Sequence, residues 1–327
     1  MMAVKTIVNG RADHAFSQSL YDFGRRVKRD KFLLLIFAPG ALYFLIFKYI
    51  PIGGIVMAFQ DYNIWLGFFK SPWVGITHFQ ELFNSRQFYN ILKNTLMLNI
   101  YAWVLTFPLP ILFALALNEC RRPNFKKVTQ TISYLPHFIS IVVIAGMVTE
   151  FLSPSNGFIS RGIGALLNMD PPYILGDAKY FGTVYVLTMV WEGFGWGAII
   201  YIAALSGVDV QLYEACTIDG ASRLQKIHHI TLPAIMPTII IMLILSLGSL
   251  MNSGFDLIYL LQNELNLSTS EVISTFVYKR GILGSGGSIL PNYSFATAVN
   301  LFQSVVNMVL VVSANYISKK VSQISLW

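Results

Sequence analysis

Apolar residues gather along this chain in six long runs, at about 32–58, 94–117, 132–150, 181–205, 234–261 and 295–317. Each matches or exceeds the roughly 20 residues an α-helix needs to cross a bilayer. The pattern predicts an all-α membrane protein with six transmembrane helices. Charge is nearly absent from the runs: Lys48 lies in the first, Glu150 closes the third, and Glu192 and Asp256 stand alone in the fourth and fifth. Pro39, Pro51, Pro108, Pro110 and Pro136 punctuate the first three. Each removes a backbone donor and kinks or ends a helix, which reads as packing, with moving hinges as the other reading. Between the fourth and fifth runs lies a polar loop, 206–233. Glu214, Ala215 and Ile218 fall there at helical spacing, and Asp219-Gly220 reads as a helix end and turn. A second short helix is expected at about 221–229, before Leu232-Pro233 marks re-entry into the next run.

Composition agrees with a lipid solvent. The 327 residues are 55% hydrophobic and 12% charged, against about 25% charged in soluble domains. The net charge of +7 would suggest nucleic acid, but its distribution points to topology instead. Segments 1–31, 118–131, 206–233 and 318–327 together hold 15 Lys and Arg, against 7 in 59–93, 151–180 and 262–294. Positive charge collects on the cytoplasmic side. Both termini are therefore expected inside, with 1–31 a basic cytoplasmic segment, 206–233 a cytoplasmic loop and 318–327 a cytoplasmic tail. No nucleic-acid partner is expected. The two cysteines, Cys120 and Cys216, fall in inner loops, where thiols stay reduced. The tip Gly284-Ser285-Gly286-Gly287-Ser288 reads as a flexible outer loop.

No catalytic signature is present. No Gly precedes Lys, and neither His-Glu-x-x-His nor Gly-x-Ser-x-Gly occurs. The five histidines show no metal-ligand spacing, so no bound metal or cofactor, and no enzymatic activity, is expected of this chain. What remains is polar chemistry inside the membrane. Glu192 lies in Trp191-Glu192-Gly193-Phe194-Gly195-Trp196-Gly197, with Tyr185 on the same helix. A carboxylate at that depth costs at least about 2.5–3.5 kcal/mol and so faces a cavity or a partner. Aromatic faces beside hydrogen-bonding groups suit sugars. Alternatively, Glu192 pairs with a basic group and Trp191 and Trp196 sit in an interfacial belt. Ser249, Asn252, Ser253 and Asp256 follow i, i+3, i+4, i+7 and are expected to share one helical face. Asn300, Gln303 and Asn307 form an uncharged stripe in the sixth run, which reads as glue between helices.

Glu214-Ala215-Cys216, then Asp219-Gly220-Ala221, then Ile230-Thr231-Leu232-Pro233 resembles the coupling-loop signature of ABC importer permeases. Cys216 stands where that family carries a second Ala. Phe47-Lys48-Tyr49-Ile50-Pro51, Phe107-Pro108-Leu109-Pro110-Ile111, Ser133-Tyr134-Leu135-Pro136-His137-Phe138-Ile139-Ser140 and the terminal Ser325-Leu326-Trp327 resemble the carbohydrate branch that imports multisugars and polysaccharide fragments. The resemblance implies a type I, maltose-type permease fold, a second homologous permease subunit, and two cytoplasmic ABC ATPase subunits that bind ATP and Mg. It also implies an extracellular lipid-anchored solute-binding protein, an oligosaccharide substrate, and a bacterial, Gram-positive, plasma membrane. The ATPase-coupling residues are then Glu214, Ala215, Cys216, Asp219, Gly220, Ala221, Ile230, Leu232 and Pro233, on a helix at 211–221. The substrate path falls near Glu192, Gly193, Trp196, Ser249, Asn252, Ser253 and Asp256. An ion-coupled secondary sugar transporter is the alternative, since it too uses intramembrane acids, but no inverted repeat supports it.

Overall fold

The computed structural model describes residues 29–284, 291–322 and 324–326. The basic stretch up to residue 28, residues 285–288 of the glycine-rich tip, and Trp327 lie outside the described residues. Regular structure among the described residues is helical, apart from one isolated bridge between Gln60 and Trp73. The chain forms two compact units, one ending at Val56 and the other running from Met57 to the C-terminus. In the first, α1 (Lys31–Phe44) continues through a π turn, Leu45–Tyr49, into Ile50–Ile52. The turn widens just ahead of Pro51, whose ring would clash with the carbonyl four residues back in a regular helix.

In the second unit, α2 (Arg86–Thr106) and α3 (Pro108–Asn118) form one 33-residue run. Next come α4 (Pro123–Tyr134) and α5 (Ile141–Phe151). The third apolar run, 132–150, is therefore not one straight helix: a bend of 97° separates the two pieces. Pro136 sits in the 3-10 turn at the bend. The 11 residues of α5 rise only about 16 Å at 1.5 Å per residue, short of the ~30 Å hydrocarbon core. After α6 (Phe158–Leu167), α7 (Ala178–Ser206) runs unbroken for 29 residues. Asp177 caps it by accepting from the Lys179 N–H at 2.9 Å.

The polar loop gives α8 (Val210–Ile218) and α9 (Arg223–Lys226). From α9 the helix continues through a π turn, Ile227–Thr231, into α10 (Leu232–Leu247), so the membrane run starts at Arg223. Leu232-Pro233 thus lies within a continuous helix and does not mark a new start. The fifth run corrects a second expectation. Its helix stops at Leu247 and resumes as α11 (Phe255–Leu261). Ser249, Asn252 and Ser253 fall in the break, so no helical face joins them to Asp256. The chain closes with α12 (Ile273–Gly281) and the 30-residue α13 (Tyr293–Ser322). Among the described residues, five helical runs are long and apolar enough to cross a membrane, or six if the bent α4–α5 pair counts as one span.

α7 is the axis of this unit. Its N-terminal half packs Phe181, Tyr185 and Val186 with Leu98 of α2 and Leu257, Ile258 and Leu261 of α11. Its other half packs Ala198, Tyr201 and Leu205 with Ile111 and Ala114 of α3 and Ile235 of α10. Gly195 permits the bend to approach α7, because a Cβ there would lie 2.1 Å from the Ser133 carbonyl oxygen. The loop after α11 is tied to the start of α7. Asn263 and Asn266 both donate to the Leu175 carbonyl, at 2.9 and 3.0 Å. Thr269 donates to the Ala178 carbonyl at 2.7 Å.

Candidate functional site

The coupling motif folds as an exposed helix with a closed corner. Asp209 caps α8 by accepting from the Gln211 N–H at 2.9 Å. At the far end the Gly220 N–H donates to the Thr217 carbonyl (3.2 Å) and the Ala221 N–H to the Cys216 carbonyl (2.9 Å). This paired closure needs a left-handed residue after the helix, and Gly220 has φ +78°. Glu214, Ala215, Asp219 and Gly220 are exposed, whereas Cys216 and Ala221 are half-buried. Val210, Leu212, Ile218 and Leu224 present exposed apolar side chains around them. Ser222 and Gln225 form a capping box that starts the next helix.

Two side-chain ties join α8 to the foot of α10, and neither was read from the sequence. The Thr231 hydroxyl, fully buried, donates to the Lys226 carbonyl at 3.3 Å and meets the Tyr213 hydroxyl at 3.0 Å. Lys226 Nζ donates to Thr217 Oγ1 at 2.7 Å. Residues 213 and 231 are far apart in sequence, so no periodicity links them. Of the remaining motif residues, Ile230 and Leu232 are half-buried and Pro233 is exposed along the π turn and first turn of α10.

The second group of predicted residues surrounds α7. Glu192 Oε1 lies 2.7 Å from Nδ1 of His137, in the turn between α4 and α5. The His137 ring stacks on Trp196 with centroids 4.6 Å apart at 15°, and Phe138 meets Trp196 edge-on. Glu192 therefore has the basic partner the sequence left open. It also lines a cavity of about 190 Å³ with Ile141, Met189, Gly254, Asp256 and Leu257. Asp256 sits in the first turn of α11, where a helix dipole favours negative charge, and has no ion pair among the described residues. Gly193, Trp196, Ser249, Asn252 and Ser253 do not line that cavity. Ser253 Oγ accepts from Asn99 at 3.1 Å, and Asn252 Oδ1 accepts from Gln303 and Asn307 at 2.9 and 3.0 Å. Trp191 opens instead on an apolar cavity of about 350 Å³ with Leu187, Thr188 and Phe151. Tyr185 is 1% exposed, and its hydroxyl accepts from the Gly254 N–H, so it offers no ring face to a ligand.

A bundle of membrane helices, one exposed helix tied to the foot of a span, and a polar seam in the apolar interior together define a polytopic transport protein. The chain belongs to the family of binding-protein-dependent transport system inner membrane components, whose model matches residues 106–323. It is 44% identical over 297 residues to Protein LplB of Bacillus subtilis, covering 91% of each chain. It is 42% identical to the polygalacturonan/rhamnogalacturonan transport system permease protein YteP of the same organism, covering 89% of each. Its fold matches a solved bacterial ABC transporter involved in the import of the acidic polysaccharide alginate. The TM-score is 0.82 at 39% identity, over 91% of this chain and 98% of that one. The fold also matches a solved bacterial alginate ABC transporter in complex with an alginate pentasaccharide-bound periplasmic protein, at 38% identity and TM-score 0.82, over 92% of this chain and 99% of that one.

Proposed function

We propose that this chain is the membrane permease subunit of an ATP-driven ABC importer that carries polysaccharide-derived oligosaccharides into a bacterial cell. The observation that carries the reading is α8: exposed, closed at Gly220 and fastened to the foot of α10 through Tyr213–Thr231 and Lys226–Thr217. A short helix so fastened passes a push on to the span instead of losing it in a loop. In this reading the bent pair counts as a sixth span and both termini face the cytoplasm. α8 docks into a cytoplasmic ATPase subunit, a second homologous permease completes the pathway, and a lipid-anchored binding protein delivers the sugar. The membrane belongs to a Gram-positive cell. ATP-driven closure of the ATPase pair draws α8, and α10 then swings against α7. The sugar alone cannot drive the cycle, because a ligand shifts a two-state equilibrium only by its differential affinity. ATP binding supplies the rest.

Relatives that are transport system permeases for arabinooligosaccharides and galactooligosaccharides support a glycan cargo. The test is uptake of tritiated galacturonan, arabinan and galactan oligosaccharides by cells carrying the complete transporter. Uptake persists with a protonophore and stops on ATP depletion. Gly220→Trp abolishes it while the chain still reaches the membrane, since any side chain at that left-handed φ costs about 1–2 kcal/mol and its bulk blocks docking. Uptake that collapses with the proton gradient, or survives Gly220→Trp, refutes the reading.

A further inference from the structure

The break at 248–254 is built as carefully as any helix here. Backbone groups in a membrane must be satisfied internally; the N–H groups of 248–250 and 252 donate to nearby carbonyls, and the backbone of Met251 and Gly254 is held by side chains from other helices. The Met251 N–H donates to Asn307 Oδ1 at 3.1 Å, and Gln303 Nε2 donates to the Met251 carbonyl at 2.6 Å. Both partners come from α13, and both also donate to Asn252 Oδ1. From α7, Tyr185 accepts from the Gly254 N–H at 3.1 Å; from α2, Asn99 donates to Ser253 at 3.1 Å. Glycines mark both ends. A Cβ on Gly248 would sit 2.2 Å from Val311 of α13, and one on Gly254 would sit 3.1 Å from the Tyr185 hydroxyl. Met251 itself is 1% exposed.

The two sides of the break differ. α11 packs Leu257, Ile258 and Leu261 into the core around α7, whereas along α10 only Ile235 and Ile244 are buried. Its foot carries the ties to α8. We propose that 248–254 is a fulcrum: α10 pivots there when α8 is drawn, α11 stays fixed on α7, and Tyr185, Gln303 and Asn307 are positioning residues that hold the pivot still. Because Gly254, Asp256 and Leu257 line the cavity with Met189 and Glu192, a fixed pivot keeps these walls in place while α10 moves.

This rests on α8 receiving an ATP-driven stroke. Failure of that reading shows separately, as a purified complex lacking an ATPase. The test uses the complete transporter with spin labels carried on unnatural amino acids, compared nucleotide-free and vanadate-trapped. A 187–260 pair reports α7 against α11, and a 234–321 pair reports α10 against α13. Trapping leaves the first distance unchanged and moves the second by about 2 Å or more, the scale of helix shifts in switching proteins. Tyr185→Phe removes the acceptor for Gly254, and Asn307→Asp keeps the acceptor for Met251 but loses the donor to Asn252. In either variant trapping also shifts or broadens the 187–260 distance. The fulcrum is overturned if both wild-type distances move together, if neither moves, or if both variants leave the 187–260 distance as sharp as in wild type. Should a variant fail to assemble, the wild-type pair decides alone.

Discussion

His137 and Glu192 are 55 positions apart in the chain and meet at 2.7 Å. Removing the imidazole leaves a half-buried carboxylate without its partner, and such a loss costs about 1 kcal/mol. His137→Leu therefore lowers the thermal midpoint of the purified complex, and His137→Gln, whose amide can still donate, recovers part of it. Equal midpoints for the Leu and Gln variants would remove the hydrogen bond from the account. Glu192 was legible because one charge in an apolar run must be explained. His137 was not, because nothing local says which distant residue answers an acid. The same holds for Tyr213 and Thr231, ordinary residues whose role exists only once the loop has folded back.

Helices were legible where apolar length decides them, as in α7 and α13, and misread where neighbours decide them. The i, i+3, i+4, i+7 template fits Ser249, Asn252, Ser253 and Asp256, but a template counts spacing and cannot see side chains on α7 and α13 taking over the backbone. Gly248 and Gly254, flanking the island, were the available signal for a break. The bend between α4 and α5 was announced by Pro136, yet its angle depends on Gly195 of α7. There, a Cβ would press on the Ser133 carbonyl, whereas one on Gly193 meets nothing within 4 Å. Gly195→Ala is expected to cost about 1–3 kcal/mol, as overpacking does, and to expose 135–140 to protease. Gly193→Ala leaves both stability and cleavage as in wild type. Similar behaviour of the two variants would mean that the bend does not depend on this approach.

For the whole molecule, the charge distribution predicts a topology that the exposed ends of its helices can report. Leu166 and Ile218 are 86% and 87% exposed and lie on opposite predicted sides. With Cys120→Ser and Cys216→Ala removing the native thiols, Leu166→Cys reacts with an impermeant reagent in intact cells. Ile218→Cys reacts only in inside-out vesicles. Reversed labelling would invert the molecule and leave α8 out of reach of any cytoplasmic motor. At the start of α7, the Leu175 carbonyl is gripped by both Asn263 and Asn266, and Ala178 by Thr269. That rim is fixed by the chain's own side chains. Ordering a loose segment costs about 1–2 kcal/mol per residue, an entropy this rim has already given up in folding.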